Sequence, residues 1–553
     1  MFNLRSILFV LMLGCMTAVA AQNAEIAPES DIESESVDTN WVYLLNADVI
    51  RYEEWVNPDA QRLIGNVIFR HDSMYMYCDS ALFYQERNSF DAYHNIRIEQ
   101  GDTLFLFGDS LFYDGNTRLL RVMDNVRLEN KTMILLTDRL NYDRNTGLGW
   151  FFDGGTLLDE ESTLISEYGQ FDTNTKMAVF MDGVSLESPD YTLTTDTLHY
   201  NTDTHTAFLN SPATIVNEDN VINTSHGRFN TETKSAVLLD RSVVEQNGGE
   251  THMTGDSIVY DSEAGMMEGF GNVIINNYKD KVDALGEYVY YNSENDSAVL
   301  TGRALLIEYS AGDSMFAHAD TFRLVSFYNA THDSVLERQV RGFNRVRVYR
   351  IDLQMVADSM VFTTKDSSLT LYDDPILWNE DSQVLGEKMI FYLNDSTIDW
   401  AHVIGQALFV QWNDSVHFNQ IAGREIKAYF KAGEIDYADV TGNVQAVFYP
   451  LDSDSAMIGM NTTEGSSLRT HFKMRAVDKI VMIGHSNGVM YPMDKLDEKK
   501  MYLPNFSWFD RIRPLDPDDV FYWRGKRAEE QLKKNNSNKE VPLPTLKGRK
   551  GRK

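Results

Sequence analysis

Residues 109–128 read DSLFYDGNTRLLRVMDNVRL, and the fold follows from taking them as one repeating unit. The unit opens on an acid, Asp109, with an aromatic, Tyr113, four residues on. A polar turn (Asp114–Thr117), an apolar stretch and a second polar pair (Asp124-Asn125) come next, and Val126-Arg127-Leu128 leads out. The opening recurs upstream as Asp48 with Tyr52 and Asp79 with Phe83. Downstream it recurs as Asp138 with Tyr142, Asp196 with Tyr200, Asp256 with Tyr260, Asp320 with Leu324 and Asp358 with Phe362. Looser copies fill the gaps: Glu167 with Phe171, Ser225 with Phe229, Glu287 with Tyr291, Glu387 with Phe391 and Glu425 with Tyr429. Twelve of these thirteen units carry the aromatic, against the one or two that a 12% aromatic composition would place by chance. Spacings of 29 to 38 residues separate the units, and self-similarity at such a period marks a repeat architecture.

Within a unit the pattern is that of short strands. Ile96-Arg97-Ile98, Val126-Arg127-Leu128 and Val184-Ser185-Leu186 alternate apolar and polar residues, the period of a half-buried strand. Gly65-Asn66-Val67, Gly271-Asn272-Val273 and Gly442-Asn443-Val444 precede such strands. Gly and Asn tolerate positive φ, so these elements are expected to be sharp reversals between strands. Helical periodicity is nearly absent before residue 500. Each unit of roughly 30 residues then holds two or three strands that cannot bury their apolar face alone and must stack on their neighbours. The expected fold is all-β: an elongated antiparallel β-jelly roll or β-solenoid of about 13 repeats, spanning 41–493.

The flanks differ. A single positive charge, the apolar run Ile7–Leu13 and the small residues of Ala18-Val19-Ala20 read as a secretory signal peptide over 1–21. Leu13-Gly14-Cys15 resembles a lipoprotein processing site, although Met12 and Leu13 fit one poorly. Residues 22–40 are acidic and read as a flexible leader, 494–523 as a C-terminal cap, and 524–553 as a basic, largely disordered tail. Once the signal peptide is removed, Cys78 has no disulfide partner, so core and backbone ladders must hold this exported chain together. The net charge is −32 and the last thirty residues are basic, so the body is more acidic still. Such a body repels nucleic acid.

Chemistry is mostly missing. Gly484-His485-Ser486-Asn487-Gly488 matches a nucleophile elbow, but His485 is the last histidine in the chain and no helix signal follows. That fold needs its histidine after the serine and a helix after the elbow. It reads instead as a late copy of the Gly-Asn-Val element. The histidines show no chelating spacing, so neither a metal, a cofactor nor a catalytic set is assigned. The recurring acids could stack into a calcium ladder or a polysaccharide-cleaving pair, but serine at position 225 and the following Ser/Thr favour a structural hydrogen bond.

Exported, acidic units of the form Ala/Thr-Asp-Ser/Thr-x-x-Tyr-Asp/Asn followed by Gly-Asn-Val resemble the organic-solvent-tolerance (OstA-like) family over roughly residues 41–490. That family includes the periplasmic lipopolysaccharide-transport bridge and the N-terminal domain of the outer-membrane translocon. The resemblance implies a non-enzymatic periplasmic protein, with outer-membrane association left open. It implies a twisted, V-shaped stack of two antiparallel sheets whose apolar interior shelters the lipid A acyl chains of lipopolysaccharide. It also implies inner- and outer-membrane transport partners joined by edge-strand pairing. Carrying a chain through water forfeits about 0.8 kcal/mol per CH₂, which a continuous apolar trough would offset. The expected lining is the apolar side of the alternating strands: Val67, Phe69, Ile96, Ile98, Val126, Leu128, Val184, Leu186, Val273 and Ile275. For any one of these residues, plain core filling is the simpler reading. This chain departs from the family in length, and no barrel pattern follows the repeats. A structural or adhesive envelope solenoid, with a closed and fully packed core, is the main alternative, and a polysaccharide-acting β-helix a weaker one.

Strands stacked about 4.8 Å apart and shared between two sheets give a body on the order of 100 Å long. Small-angle X-ray scattering is expected to return that elongated particle. A compact globule would refute the repeat reading.

Overall fold

The computed structural model describes residues 40–525 apart from 54, 56, 102–103, 130–132, 159–161, 219, 311, 330–333, 395–396, 432 and 474–475. The signal peptide, the leader up to residue 39, Cys15 and the tail beyond 525 lie outside the described residues. Within them the chain is an elongated antiparallel meander of 42 strand segments, and the helices are 3₁₀ turns of three or four residues. Each strand pairs with the next: Gln61–His71 with Met74–Tyr84, then Ser89–Gln100, Leu104–Asp114 and Leu119–Glu129. One repeat is therefore a pair of long strands, one up and one down.

Every long strand bends in the middle, and here the sequence reading needs correcting. The Gly-Asn-Val elements are not reversals between strands. They are corners inside strands that run straight through them. Gly65-Asn66, His94-Asn95, Asp124-Asn125 and Gly271-Asn272 each place two successive residues at positive φ, and the pairing register slips there, between Ile64 and Val67 for instance. Two left-handed residues in series form a bulge that turns the strand without ending it. Later in the stack the same bent strand counts as two segments, as in Leu148–Phe151 and Gly155–Leu158, which both pair with Ile134–Asp143. Gly484 (φ +90°) is another such corner, between Ala476–Ile483 and Asn487–Tyr491, and no helix follows it.

The recurring acids sit at the same corners on the adjacent strands. Asn66 donates to Asp48 (2.8 Å), Asn95 to Asp79 (2.7 Å), Asn125 to Asp109 (2.6 Å) and Asn272 to Asp256 (3.0 Å). Where arginine replaces asparagine the contact becomes an ion pair, Arg345 with Asp320 (2.8 Å). In these repeats the acid's partner lies across the strands, whereas Asp196 accepts from the Thr197 hydroxyl that follows it (3.3 Å), the contact the sequence suggested.

The corners fold the sheet into two leaves whose apolar faces meet. The first leaf carries the acid-to-aromatic segments, the second the segments beyond Gly-Asn-Val. Phe69 of the second leaf stacks on Phe90 (4.0 Å between ring centroids) and against Phe83 (5.4 Å) of the first. The polar turns join successive strands at the free edge of the first leaf. Asp114, Asp143 and Asp172 accept from the backbone N–H two residues on, and Asn145 and Asn174 donate to the carbonyls of Thr117 and Thr146 in the turn below. These Asx turns zip one repeat to the next.

The segment assigned as a cap begins against the last strands, where Leu496, Met501 and Leu503 pack with Val447, Tyr449 and Met460, and then leaves them. Residues 494–523 double back along the outer face of the second leaf. Gln420 donates to the Met501 carbonyl (2.8 Å) and accepts from Leu503 N–H (2.9 Å), and Gln383 treats Ser507 and Phe509 the same way (2.9 and 2.8 Å). Arg513 donates to Gln354 (2.7 Å) and Arg347 to the Val520 carbonyl. Phe509 and Ile512 cover Trp378, Leu408 and Val410, all fully buried. The cover desolvates what lies beneath it. Burial, with Arg347 alongside, holds His318 down to about 4, so it is neutral against Phe521.

A side chain at a left-handed corner costs about 1–2 kcal/mol in backbone strain alone. At Gly271 (φ +68°) a Cβ would also lie 2.4 Å from the Asp256 carboxylate, whereas at Gly101 (φ +64°) it meets nothing within 4 Å. Gly271→Ala is expected to lower the urea midpoint more than Gly101→Ala. The extra loss is about 1 kcal/mol for the broken corner bond, and equal midpoints would show that the corner contact does not hold the fold.

Candidate functional site

The interior is filled unevenly. One apolar cluster runs from Val42 to Leu140 and a longer one from Phe151 to Leu468. Where the two meet, the leaves enclose a cavity of about 420 Å³. The second leaf supplies Ile98, Leu106, Leu128, Leu135 and Leu157 to its wall, and the first leaf Leu140, Phe151, Phe171, Ala178 and Phe180. Glycine makes room for part of this wall. A Cβ on Gly169 would come within 2.2 Å of the Phe151 ring, so Gly169 lets that ring lie flat against its strand. The space is elongated across several strands, mostly apolar and within the size range of small-molecule sites.

The mouth lies between the free edges of the leaves. Gln100, Leu104 and Met133 border it on the second leaf, and Lys176, Tyr200, Thr202 and Asp203 on the first. On either side of it the edges are bridged. Toward the N-terminus Asp72 meets Arg118 (3.3 Å) and Arg144 (3.6 Å), and His71 Nδ1 shares a hydrogen bond with the Tyr113 hydroxyl (2.6 Å). Burial holds that hydroxyl above its ordinary pKa, with Arg144 opposing, so it stays neutral. Toward the C-terminus Lys234 pairs with Asp190, and Tyr191 packs edge-on against Phe229 (5.1 Å). A larger concavity, about 680 Å³, lies outside the corner between Gly183 and Ser242, where the polar lining is largely self-paired, as in Thr195 with Ser211 (2.8 Å).

The ten residues expected to face inward all do so to some degree. Val67, Phe69, Ile96, Ile98 and Val126 are buried in the N-terminal cluster and Leu128 packs against it; Val184, Leu186 and Val273 are buried in the longer cluster and Ile275 packs against that one. Only Ile98 and Leu128 of the ten border the cavity. Sequence reasoning missed its first-leaf wall, although the signal was in hand. Tyr142, Phe171 and Tyr200, the repeat's own aromatics, line it.

Among the described residues no group of three or more His, Cys, Asp or Glu is placed to hold a metal ion, and no helix is long and apolar enough to cross a membrane. Cys78 is buried and unpaired, and burial pushes its thiol up to about 12.

These features define a class: an elongated antiparallel β-jelly roll with an internal apolar cavity open between its edges. Residues 39–196 and 191–248 match the family described as OstA-like protein. No curated protein matches the sequence. A solved structure that matches part of the chain is LptH, the LptA-homologous periplasmic component of the conserved lipopolysaccharide transport device from Pseudomonas aeruginosa. It is 16% identical, and the match covers 22% of this chain and 81% of that one at a TM-score of 0.18.

Filling the cavity separates binding from folding. Ala178→Phe adds a ring to the wall, and overpacking of a space that is already empty costs little. The variant is expected to keep its melting temperature and lose severalfold in affinity for an alkyl ligand such as decyl glucoside, read by calorimetric titration. Unchanged affinity would show that the cavity is not where alkyl chains go.

Proposed function

We propose that this protein is a non-enzymatic, periplasmic lipid-binding bridge that carries lipopolysaccharide toward the outer membrane, with the lipid A acyl chains sheltered between its two leaves. The carrying observation is the cavity: apolar walls from both leaves and an opening along the side, which suits an alkyl chain whose headgroup stays in water. The OstA-like match over residues 39–248 supports the same reading. Transport along such an interior needs no catalytic group, and the driving energy comes from a partner.

The ends of the stack fit docking by strand addition. Val49–Tyr52 pairs only with Gln61–His71 among the described residues and exposes Val49, Ile50 and Tyr52. At the far end Asn487–Tyr491 pairs only with Met460–Lys473 and exposes Val489 and Met490. Open edges with apolar side chains are a liability unless something pairs with them. Inner-membrane partners would meet the first edge and outer-membrane partners the second. The signal peptide, leader and basic tail belong to the same proposal. A second reading, a structural envelope solenoid, is favoured by the tight packing of the interior away from the cavity, where Leu193, Leu198 and Val273 are wholly buried.

Photo-crosslinking residues in place of Ile98, Leu128 and Arg97 decide between them. Arg97 lies on the outer face, paired with Glu99 and over the Tyr77 ring. Capture of lipopolysaccharide in cells is expected at 98 and 128 and not at 97. Equal capture at all three positions, or none at any, would refute the lipid-bridge reading.

A further inference from the structure

Two arginines converge on a single carboxylate beside the mouth, in a chain whose net charge is −32. Arg118 and Arg144 reach Asp72 at 3.3 and 3.6 Å, both longer than the 2.7–2.9 Å of a well-formed charged hydrogen bond. The cluster is not a loose surface pair. The Arg144 side chain is 9% exposed and Asp72 23%, and Arg144 also donates to the Tyr113 hydroxyl (3.3 Å), itself shared with His71. The guanidinium is thus held in place by a neutral phenol while its charge is only partly met. Met74, Leu120 and Tyr142, each two residues from Asp72, Arg118 and Arg144, line the cavity. A cation pair therefore stands at the rim of an apolar chamber.

We propose that Arg118 and Arg144 form an anion site for the phosphate headgroup of an amphiphile whose alkyl chain lies in the cavity. Asp72 is its resident occupant, displaced when the ligand binds. Two guanidinium forks suit a group with three oxygens better than one with two. Asp72 sits on the second leaf and the arginines on the first, so its displacement also removes the ionic part of the bridge on that side of the mouth and leaves the His71–Tyr113 hydrogen bond. The site depends on the proposed role of the cavity and specifies which lipids it selects.

Titration of the full-length mature chain with decyl phosphate, decyl glucoside and inorganic phosphate tests this, with melting curves to verify folding. Decyl phosphate is expected to bind about tenfold more tightly than decyl glucoside, the worth of a charged hydrogen bond, and inorganic phosphate far more weakly than either. Asp72→Asn should tighten decyl phosphate severalfold and leave decyl glucoside unchanged. Arg118→Gln, at the more exposed arginine, should erase the preference without loss of glucoside binding, and Arg144→Lys, which keeps the charge but loses the fork, should fall between. Decyl glucoside bound with no headgroup preference, or no response to Asp72→Asn, would overturn the anion site and leave the cavity standing. Inorganic phosphate binding as tightly as decyl phosphate would also overturn it, marking a free-anion site. If neither alkyl ligand binds, the cavity reading and the anion site fail together.

Discussion

The corner is the constraint on which the rest depends. A flat antiparallel meander of this length would present two solvated faces and long open edges, a form prone to aggregate. Bending every strand at one level gives the sheet an inside. At most of the Gly-Asn-type corners the bend uses two successive residues at positive φ, a conformation Gly and Asn accept most easily. It also leaves polar atoms at the bulge, and the asparagine amide meets them by donating to the acid on the neighbouring strand. This is why acid and asparagine recur together, and why the acids, although stacked, do not gather into a metal site.

Once the leaves face each other, side-chain size decides whether the space between them closes. Through most of the stack Leu, Val, Phe and Met meet in the middle and exclude water. Between Ile98 and Phe180 the walls are lined but the centre is not filled. An apolar space of this kind exchanges contacts with an alkyl chain at little cost, because neither surface gives up hydrogen bonds to water. The outer face of the second leaf solves a different problem. Trp378 and its neighbours would be an exposed apolar patch, and the returning C-terminal segment covers them. Gln383 and Gln420, on successive repeats, pair with the backbone of that segment, and Gln354 on the repeat before them accepts from the Arg513 side chain. An amide that both donates and accepts can hold an extended chain wherever it passes.

Much of this was legible in the residues. The unit length, the β character, the alternation that turns Val67, Ile96 and Val126 inward, and the structural role of the acids all follow from spacing and side-chain chemistry. The error at Gly-Asn-Val has a simple source. Positive φ is shared by hairpin turns and by bulges, and the sequence shows only that the backbone bends there. The tripeptide carries no sign of whether the chain then returns or continues.

The sequence by itself determined the repeat, the inward face and the need for stacking, because those depend on periodicity and on groups near one another along the chain. Only the tertiary structure decided where the interior stays open, since that depends on how Ile98 and Leu128 meet Phe151, Phe171 and Phe180 across two leaves. Only the tertiary structure brought Arg118 and Arg144 to Asp72, and laid residues 501–523 over strands formed as far back as His318, which Phe521 packs against. Such contacts are set by the twist and register of the whole stack. No local pattern encodes them, because the repeat that creates the fold makes each unit's neighbours look alike.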